Sequence, residues 1–131
     1  MKKSMSAAEI ITRHIESDRI MESAPTAEYR KSNREAKKLN ELFRIVEKDL
    51  TLAKEVYKEL LISDCVVTRG HAAAECLSLE IFIDKAVEVL TELSVRTDIG
   101  MQSFHSETCL KWWNKNGYHE MYPGQHTEKK S

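Results

Sequence analysis

The segment from Thr68 to Leu79 constrains the fold of this chain most strongly, because it consists mainly of small and apolar residues, with three consecutive alanines at its centre. The segments on either side of it are amphipathic, with apolar residues recurring at helical spacing. A helix that is apolar around most of its circumference packs on more than one side. The segment therefore predicts an inner helix held between amphipathic partners.

The composition favours a single soluble, helix-rich domain. The chain has 131 residues, of which 41% are hydrophobic and 31% charged, with only four glycines and two prolines. This length suffices for one buried core, and the scarcity of turn-forming residues disfavours a protein built from many short strands. We expect one helical-repeat domain over residues 1–124 and a polar, frayed tail over residues 125–131.

Cysteine usage and the N-terminal sequence indicate a cytoplasmic protein. Cys65, Cys76 and Cys109 are odd in number and lack zinc-like spacing, so reduced thiols are expected. The first residues resemble the start of a signal peptide, but Glu9 and Arg13 interrupt the apolar run that secretion requires. No apolar stretch reaches the ~18 residues from which a membrane span is predicted.

Local signals place the first helices. Ser6 and Glu9 form a capping box that begins the first helix, which is expected to end at about residue 22. The second helix is expected to start at residues 26–27 and to carry a firm apolar stripe in its second half. That stripe changes phase between Asp49 and Thr51, which predicts a break and a third helix.

The remaining helices follow from caps and turns. Either Asp64 or Thr68 can cap the alanine-rich fourth helix, and Asp84 can cap a fifth. After a loop, the last helix is expected over residues 103–116, because Gly117 supplies the left-handed residue that commonly ends a helix. The pattern predicts an all-α fold of about six helices and no strand.

The stretch from Leu60 to Leu77 resembles a HEAT or armadillo-like repeat, in which an amphipathic helix is followed by an aspartate, an arginine and paired alanines. Those positions are filled here by Leu60 and Leu61, Asp64, Arg69, and Ala72 with Ala73. In repeats of this kind the arginine bridges neighbouring turns to an aspartate, and a contact to a partner is the alternative for Arg69. Gly70 departs from the pattern, since glycine inside a helix costs about 1 kcal/mol relative to alanine.

Residues 40–117 as a whole resemble a family of small bacterial single-domain proteins of unknown function with an armadillo-like helical fold. The resemblance implies a short α–α superhelix and a binding role. It implies no catalytic residue and no cofactor.

The charge is unevenly distributed along the chain. Residues 1–63 carry 13 basic and 11 acidic side chains, whereas residues 64–131 carry 7 basic and 10 acidic ones. An acidic surface favours a basic protein partner through electrostatic steering, and ordinary solubility charge is the alternative. The candidate partner-binding residues are Glu75, Glu80, Asp84, Glu88, Glu92, Asp98, Glu107 and Trp113.

Trp112 and Trp113 are adjacent on the last helix, and their side chains point about 100° apart, so they cannot both face inward. One of them belongs to the core. The exposed one is either an anchor for a partner or a lid over the terminal helix pair.

A basic segment offers an alternative function. It comprises Arg30, Lys31, Arg34, Lys37 and Lys38, which could contact the phosphates of a nucleic acid. Glu28 and Glu35 dilute its charge, and no aromatic residues interleave it for base stacking. A solvated helix start is the simpler interpretation.

Scattered histidines and cysteines raise the possibility of a metal site or a reactive thiol. The candidates are Cys65, His71 and Cys76, and the pair His105 and Cys109. No Cys-x2-Cys spacing is present, and Cys76 lies among alanines and leucines, as a core residue would. We expect neither a metal ion nor another cofactor.

The sequence therefore predicts a non-catalytic helical-repeat module that binds another protein, with no membrane association. An immunity protein that neutralises a cognate bacterial nuclease toxin is one concrete form of this hypothesis, because a basic nuclease cleft would complement the acidic half. A nucleic-acid-binding protein that uses residues 30–38 is the alternative, and an enzyme is the third hypothesis.

Overall fold

The computed structural model of the protein describes residues 5–23 and 29–125, without the side chains of Ser23 and residues 29–32. Within these ranges it contains helices and no strand, which confirms the predicted all-α class. The helices are α1 (Ala7–Ser23), α2 (Tyr29–Glu47), α3 (Leu50–Leu60), α4 (Val66–Leu79), α5 (Ile83–Ser94) and α6 (Met101–Asn116). Their arrangement as an armadillo-like superhelix stays a prediction.

The chain divides into two compact units, Met1–Thr68 and Arg69–Ser131, which we call unit 1 and unit 2. In unit 1, α1, α2 and α3 pack against one another, and in unit 2, α5 packs along α6. Buried apolar side chains of unit 1 include Ile10, Leu42, Phe43, Val46, Val56, Tyr57 and Leu60. Those of unit 2 include Leu77, Ala86, Val89, Leu90 and Leu93.

The alanine-rich helix α4 has no exposed residue between Val66 and Leu79, which agrees with the expectation of an inner helix. Its specific pairing with the segment Ala53–Leu61 stays a prediction. Because α4 begins at Val66, Thr68 lies within its first turn and does not cap it. The Thr68 hydroxyl instead donates a hydrogen bond to Asp18 Oδ2 over 2.7 Å.

Three predicted helix ends are confirmed. The backbone N–H of Glu9 donates to Ser6 Oγ over 3.2 Å, while Glu9 Oε1 accepts from the backbone N–H of Ser6 over 3.3 Å, which completes the capping box. The predicted break between Asp49 and Thr51 is present, since α3 begins at Leu50; Asp49 is its N-cap and accepts from the N–H of Leu52 over 3.1 Å. Gly117 ends α6 in the left-handed region with a φ of 75°. The predicted start of α2 at residues 26–27 lies outside the described residues.

The turn between α4 and α5 differs from the prediction, because Asp84 does not cap α5. Phe82 occupies the N-cap position with a φ of 48° and makes no side-chain cap, while Asp84 lies within the first turn. Glu80 also adopts a positive φ, of 59°. The backbone N–H of Glu80 donates to the carbonyl of Leu77, and the backbone N–H of Ile81 donates to the carbonyl of Cys76. These two hydrogen bonds are the pattern of a Schellman motif. The turn between α4 and α5 therefore contains two residues with side chains, Glu80 and Phe82, in the left-handed region.

The C-terminal segment differs from the expected tail in one respect. Gln125 is fully buried, and its Oε1 accepts a hydrogen bond from the N–H of Met121 over 2.7 Å. The polar residues after it lie outside the described residues. Helix α6 begins at Met101, two residues before the predicted start.

Candidate protein-interaction surface

Most of the predicted acidic residues lie on the surface of unit 2. The exposed ones are Glu80, Asp84, Glu88, Glu92, Asp98 and Glu107. Glu75 is an exception, since it is only 4% exposed and flanked by the buried residues of α4. It therefore does not belong to the predicted acidic surface. The apolar sequence around it was the signal that should have excluded it.

Four of the six exposed carboxylates form ion pairs with cations of the same unit. Three of these pairs are Lys85–Glu88 at 3.1 Å, Arg69–Glu92 at 3.4 Å and Lys111–Glu107 at 2.9 Å. The fourth joins the Arg96 guanidinium to both carboxylate oxygens of Asp98, at 2.9 and 2.6 Å. Much of the acidic charge is thereby compensated locally.

Two of these pairs bear on particular predictions. Hydrogen bonding to Arg96 is the main cause that holds the pKa of the Asp98 carboxyl below its ordinary value. The Arg69 guanidinium donates a hydrogen bond to Glu92, a glutamate on α5, over 3.4 Å. The bridge to an aspartate that the repeat resemblance implies stays a prediction. Among the described residues, no cation lies within ion-pair distance of Glu80 or Asp84.

The exposed tryptophan of α6 is Trp112, at 48% exposure, and not Trp113, the tryptophan predicted for the candidate surface. Trp113 is only partly exposed because it shares a face of the helix with the buried residues Ser106 and Cys109. The Trp112 ring meets the ring of Tyr118 edge-on, with centroids 6.4 Å apart.

Trp112 belongs to an exposed apolar stripe that was not predicted from the sequence. Met101 is 63% and Phe104 59% exposed, and both lie on the same side of α6 as Thr108 and Trp112. These four residues, which we call the α6 stripe, occupy roughly a quarter of the helix circumference. The helix thus carries apolar side chains on two faces, one against α5 and one toward solvent. Because apolar residues lie on two faces, the sequence of α6 does not show the periodicity of a helix with one apolar face.

A pocket of about 530 Å³ lies beside the α6 stripe, between α6 and the segment that follows it. Trp112 and Thr108 line it from the helix, and His119, Met121 and Pro123 line it from the segment. Large exposed apolar patches on a protein surface often mark sites that bind a partner or a ligand. The stripe and the pocket together form one continuous apolar surface, because both contain Trp112.

Burial raises the pKa of two cysteine thiols of unit 2, Cys76 and Cys109. The Cys109 Sγ lies 3.9 Å from both ring nitrogens of His119, and burial raises the pKa of the Cys109 thiol to about 11. Burial, with a smaller effect of the Glu75 charge, raises the pKa of Cys76 still further. His105 is exposed on α6 while Cys109 is buried. In residues 5–23 and 29–125, no three of the usual metal-binding side chains converge on one point.

The basic segment is only partly described. Arg34 and Lys37 are exposed, and Lys38 forms an ion pair with Glu35 at 3.1 Å. Glu35 is itself buried, and its ion pair with Lys38 offsets one cation of the segment, as the sequence suggested. The side chains of Arg30 and Lys31 lie outside the described residues.

Within the described ranges, no helix is both long enough and apolar enough to cross a bilayer. Compared with protein-family models, curated proteins and solved structures, the chain gives no significant match.

Proposed function

We propose that this chain is a non-catalytic module that binds another protein through the surface of unit 2. The observation that carries the proposal is the α6 stripe, which leaves Met101, Phe104 and Trp112 in water although α6 has another face for the core. Burying large apolar side chains would stabilise the protein, and these three side chains do not contribute that free energy while they remain exposed. Tryptophan is also enriched among the residues that dominate binding energy at interfaces.

The charge of unit 2 favours a basic partner. Residues 69–125 carry eight acidic and five basic side chains. The carboxylates that form ion pairs contribute mainly to the long-range attraction of a basic partner, because at short range the charge of each one is offset by its own cation. Glu80 and Asp84 remain the carboxylates best suited to direct contact. They flank Phe82, an exposed aromatic residue held in a strained backbone conformation, and such strain occurs preferentially at functional sites.

An immunity protein that neutralises a bacterial nuclease toxin is the concrete form that we propose. A nuclease cleft that binds phosphates is basic, and an acidic module with an apolar anchor complements it. The armadillo-like arrangement of the helices belongs to the same proposal, since helical-repeat scaffolds present such surfaces.

The proposal is tested by placing a photo-crosslinking amino acid at position 104 in cells that carry the gene. We expect a crosslinked protein that is absent when the same amino acid replaces Ile62, which is exposed at 67% on unit 1. The crosslinked protein is then purified and its affinity measured. Trp112→Ala should weaken binding at least tenfold, whereas Ile62→Ala should leave it unchanged. Equal affinities of the two variants would contradict the proposal.

The immunity form has its own readout. If the crosslinked protein is a nuclease, its cleavage of DNA or RNA should stop when this chain is added in equimolar amounts. Trp112→Ala should restore cleavage at concentrations near the dissociation constant. A crosslinked partner without nuclease activity would leave protein binding standing and would reject the immunity form.

The nucleic-acid alternative has weaker support, because Lys38 is paired with Glu35. Among the described side chains of the segment, this leaves two other exposed cations, Arg34 and Lys37. Binding of a duplex at physiological salt that falls on Lys37→Ala substitution would revive it, since phosphate contacts dominate such affinity. We expect no measurable binding under these conditions.

A further inference from the structure

A second candidate site lies wholly within unit 1, in a pocket of about 360 Å³ between α1 and α2. Its walls combine apolar side chains with charged ones. Ile20, Leu42 and Ile45 supply apolar surface. The charged side chains are Arg13, Glu16, Glu35, Lys38 and Glu41, which carry one negative charge in excess. The volume lies at the lower end of the range for pockets that bind small organic molecules.

The pocket contains a buried carboxylate oxygen without a hydrogen-bond partner. Glu35 is only 4% exposed, and its Oε2 accepts from Lys38 Nζ over 3.1 Å. Its Oε1 is fully buried, and no described residue donates a hydrogen bond to it. A buried acceptor left unpaired costs about 1–3 kcal/mol. A donor brought by a ligand would recover that free energy.

The Glu35 carboxyl is charged at neutral pH. Burial raises the pKa of Glu35, but hydrogen bonding to Lys38, the nearby Ser17 hydroxyl, and the charges of Lys38 and Arg34 together lower it below its ordinary value. A charged donor is therefore a better match than a neutral one.

We propose that this pocket binds a small organic cation, in which an ammonium group on an apolar body hydrogen-bonds to Glu35. The apolar body would contact Ile20, Leu42 and Ile45. On binding, the Glu35 side chain as a whole would turn toward the pocket, so that Oε1 meets the ammonium group while Oε2 keeps its hydrogen bond to Lys38. Lys38 lines the same pocket, and its side chain, which is 56% exposed, has room to follow this movement.

The test uses three probes of one shape and different charge. Tryptamine is a cation, tryptophol replaces its amine with a neutral hydroxyl, and indole-3-acetate carries an anion. We expect tryptamine to bind the full chain at millimolar or lower concentration and to shift the amide resonances of Ser17, Glu35 and their neighbours. Tryptophol should bind at least tenfold more weakly, and indole-3-acetate should not bind.

Variants separate a specific contact from general charge. Glu35→Gln should weaken tryptamine binding at least tenfold, whereas Glu41→Gln, which removes an exposed carboxylate from the same pocket, should change it less than threefold. Ile45→Trp, which fills the pocket without altering its charge, should also abolish binding. Thermal unfolding of each variant verifies that it is folded. If Glu35→Gln does not fold, Ile45→Trp still tests whether tryptamine binds in this pocket.

Three results would overturn the proposal. They are the absence of tryptamine binding, equal binding by all three probes, and amide shifts that map outside α1 and α2. The inference is independent of the proposed protein-binding function, since every residue that it uses belongs to unit 1.

Discussion

The hydroxyl of Thr68 donates a hydrogen bond to Asp18 Oδ2 over 2.7 Å, and so ties α1 to the first turn of α4 across fifty residues of chain. The same oxygen lies 2.8 Å from Nδ1 of His14, one helical turn earlier on α1. All three side chains are buried. Asp18 is therefore a carboxylate inside unit 1 whose burial depends on its hydrogen-bond partners.

This relationship predicts a loss of stability on Thr68→Val, a substitution that keeps the side-chain shape and removes the hydroxyl. The buried carboxylate would lose a donor, so we expect the free energy of unfolding to fall by about 1–3 kcal/mol in a denaturant titration. Thr91→Val is the matched control, because the Thr91 hydroxyl is exposed and bonds to the carbonyl of Val87 in its own helix. The control should stay within about 0.5 kcal/mol of the wild type. Equal effects of the two substitutions would mean that the Thr68–Asp18 bond contributes little.

The contrast between local and distant interactions explains what the sequence could predict. The caps at Ser6, Asp49 and Gly117 depend on residues within one turn of the helix, so their patterns are visible in the chain. The bond between Asp18 and Thr68 joins residues that only the folded chain brings together. For the same reason the buried Glu35 resembled a surface charge.

The candidate surface was predictable in part. The acidic side chains were identified, but the neutralisation of Glu92 by Arg69 joins two helices, α4 and α5, and therefore depends on the folded chain. The α6 stripe was missed because Phe104 and Trp112 share their helix with a second apolar face. The left-handed conformation of Phe82 carries no sequence signal, since bulky residues rarely adopt it.

The conformation of Glu80 predicts a stabilising substitution. Glu80 holds a φ of 59° at the end of α4, a region that costs most residues about 1–2 kcal/mol and glycine almost nothing. We expect Glu80→Gly to raise the free energy of unfolding by about 1 kcal/mol. Glu55→Gly, at an exposed position inside α3, should lower it by about the same amount, because there glycine weakens a helix. Destabilisation by both substitutions would show that the Glu80 side chain contributes more than its backbone conformation costs.

Glu35 predicts a pH dependence of stability. Because its pKa is lowered in the folded state, its ionised form stabilises the fold above the ordinary value of 4.5, and this contribution is lost as the pH falls through that value and the lower folded one. The free energy of unfolding of the wild type should therefore fall more between pH 7 and pH 3 than that of Glu35→Gln. The comparison cancels the other carboxylates, which both proteins share. Parallel curves would contradict the lowered pKa.

The burial of Cys109 predicts a thiol that resists alkylation. A rise in pKa from 9.0 to about 11 reduces the thiolate fraction at neutral pH about 100-fold, and the thiolate is the reactive form. We expect iodoacetamide to label Cys109 slowly at pH 7.5 and the labelling rate to keep rising up to pH 10, as followed by mass spectrometry of its peptide. His119→Ala should leave this slow rate unchanged, because burial and not the imidazole sets the pKa. Rapid labelling at neutral pH that His119→Ala slows would instead identify an activated Cys–His pair, and would return the enzyme hypothesis to consideration.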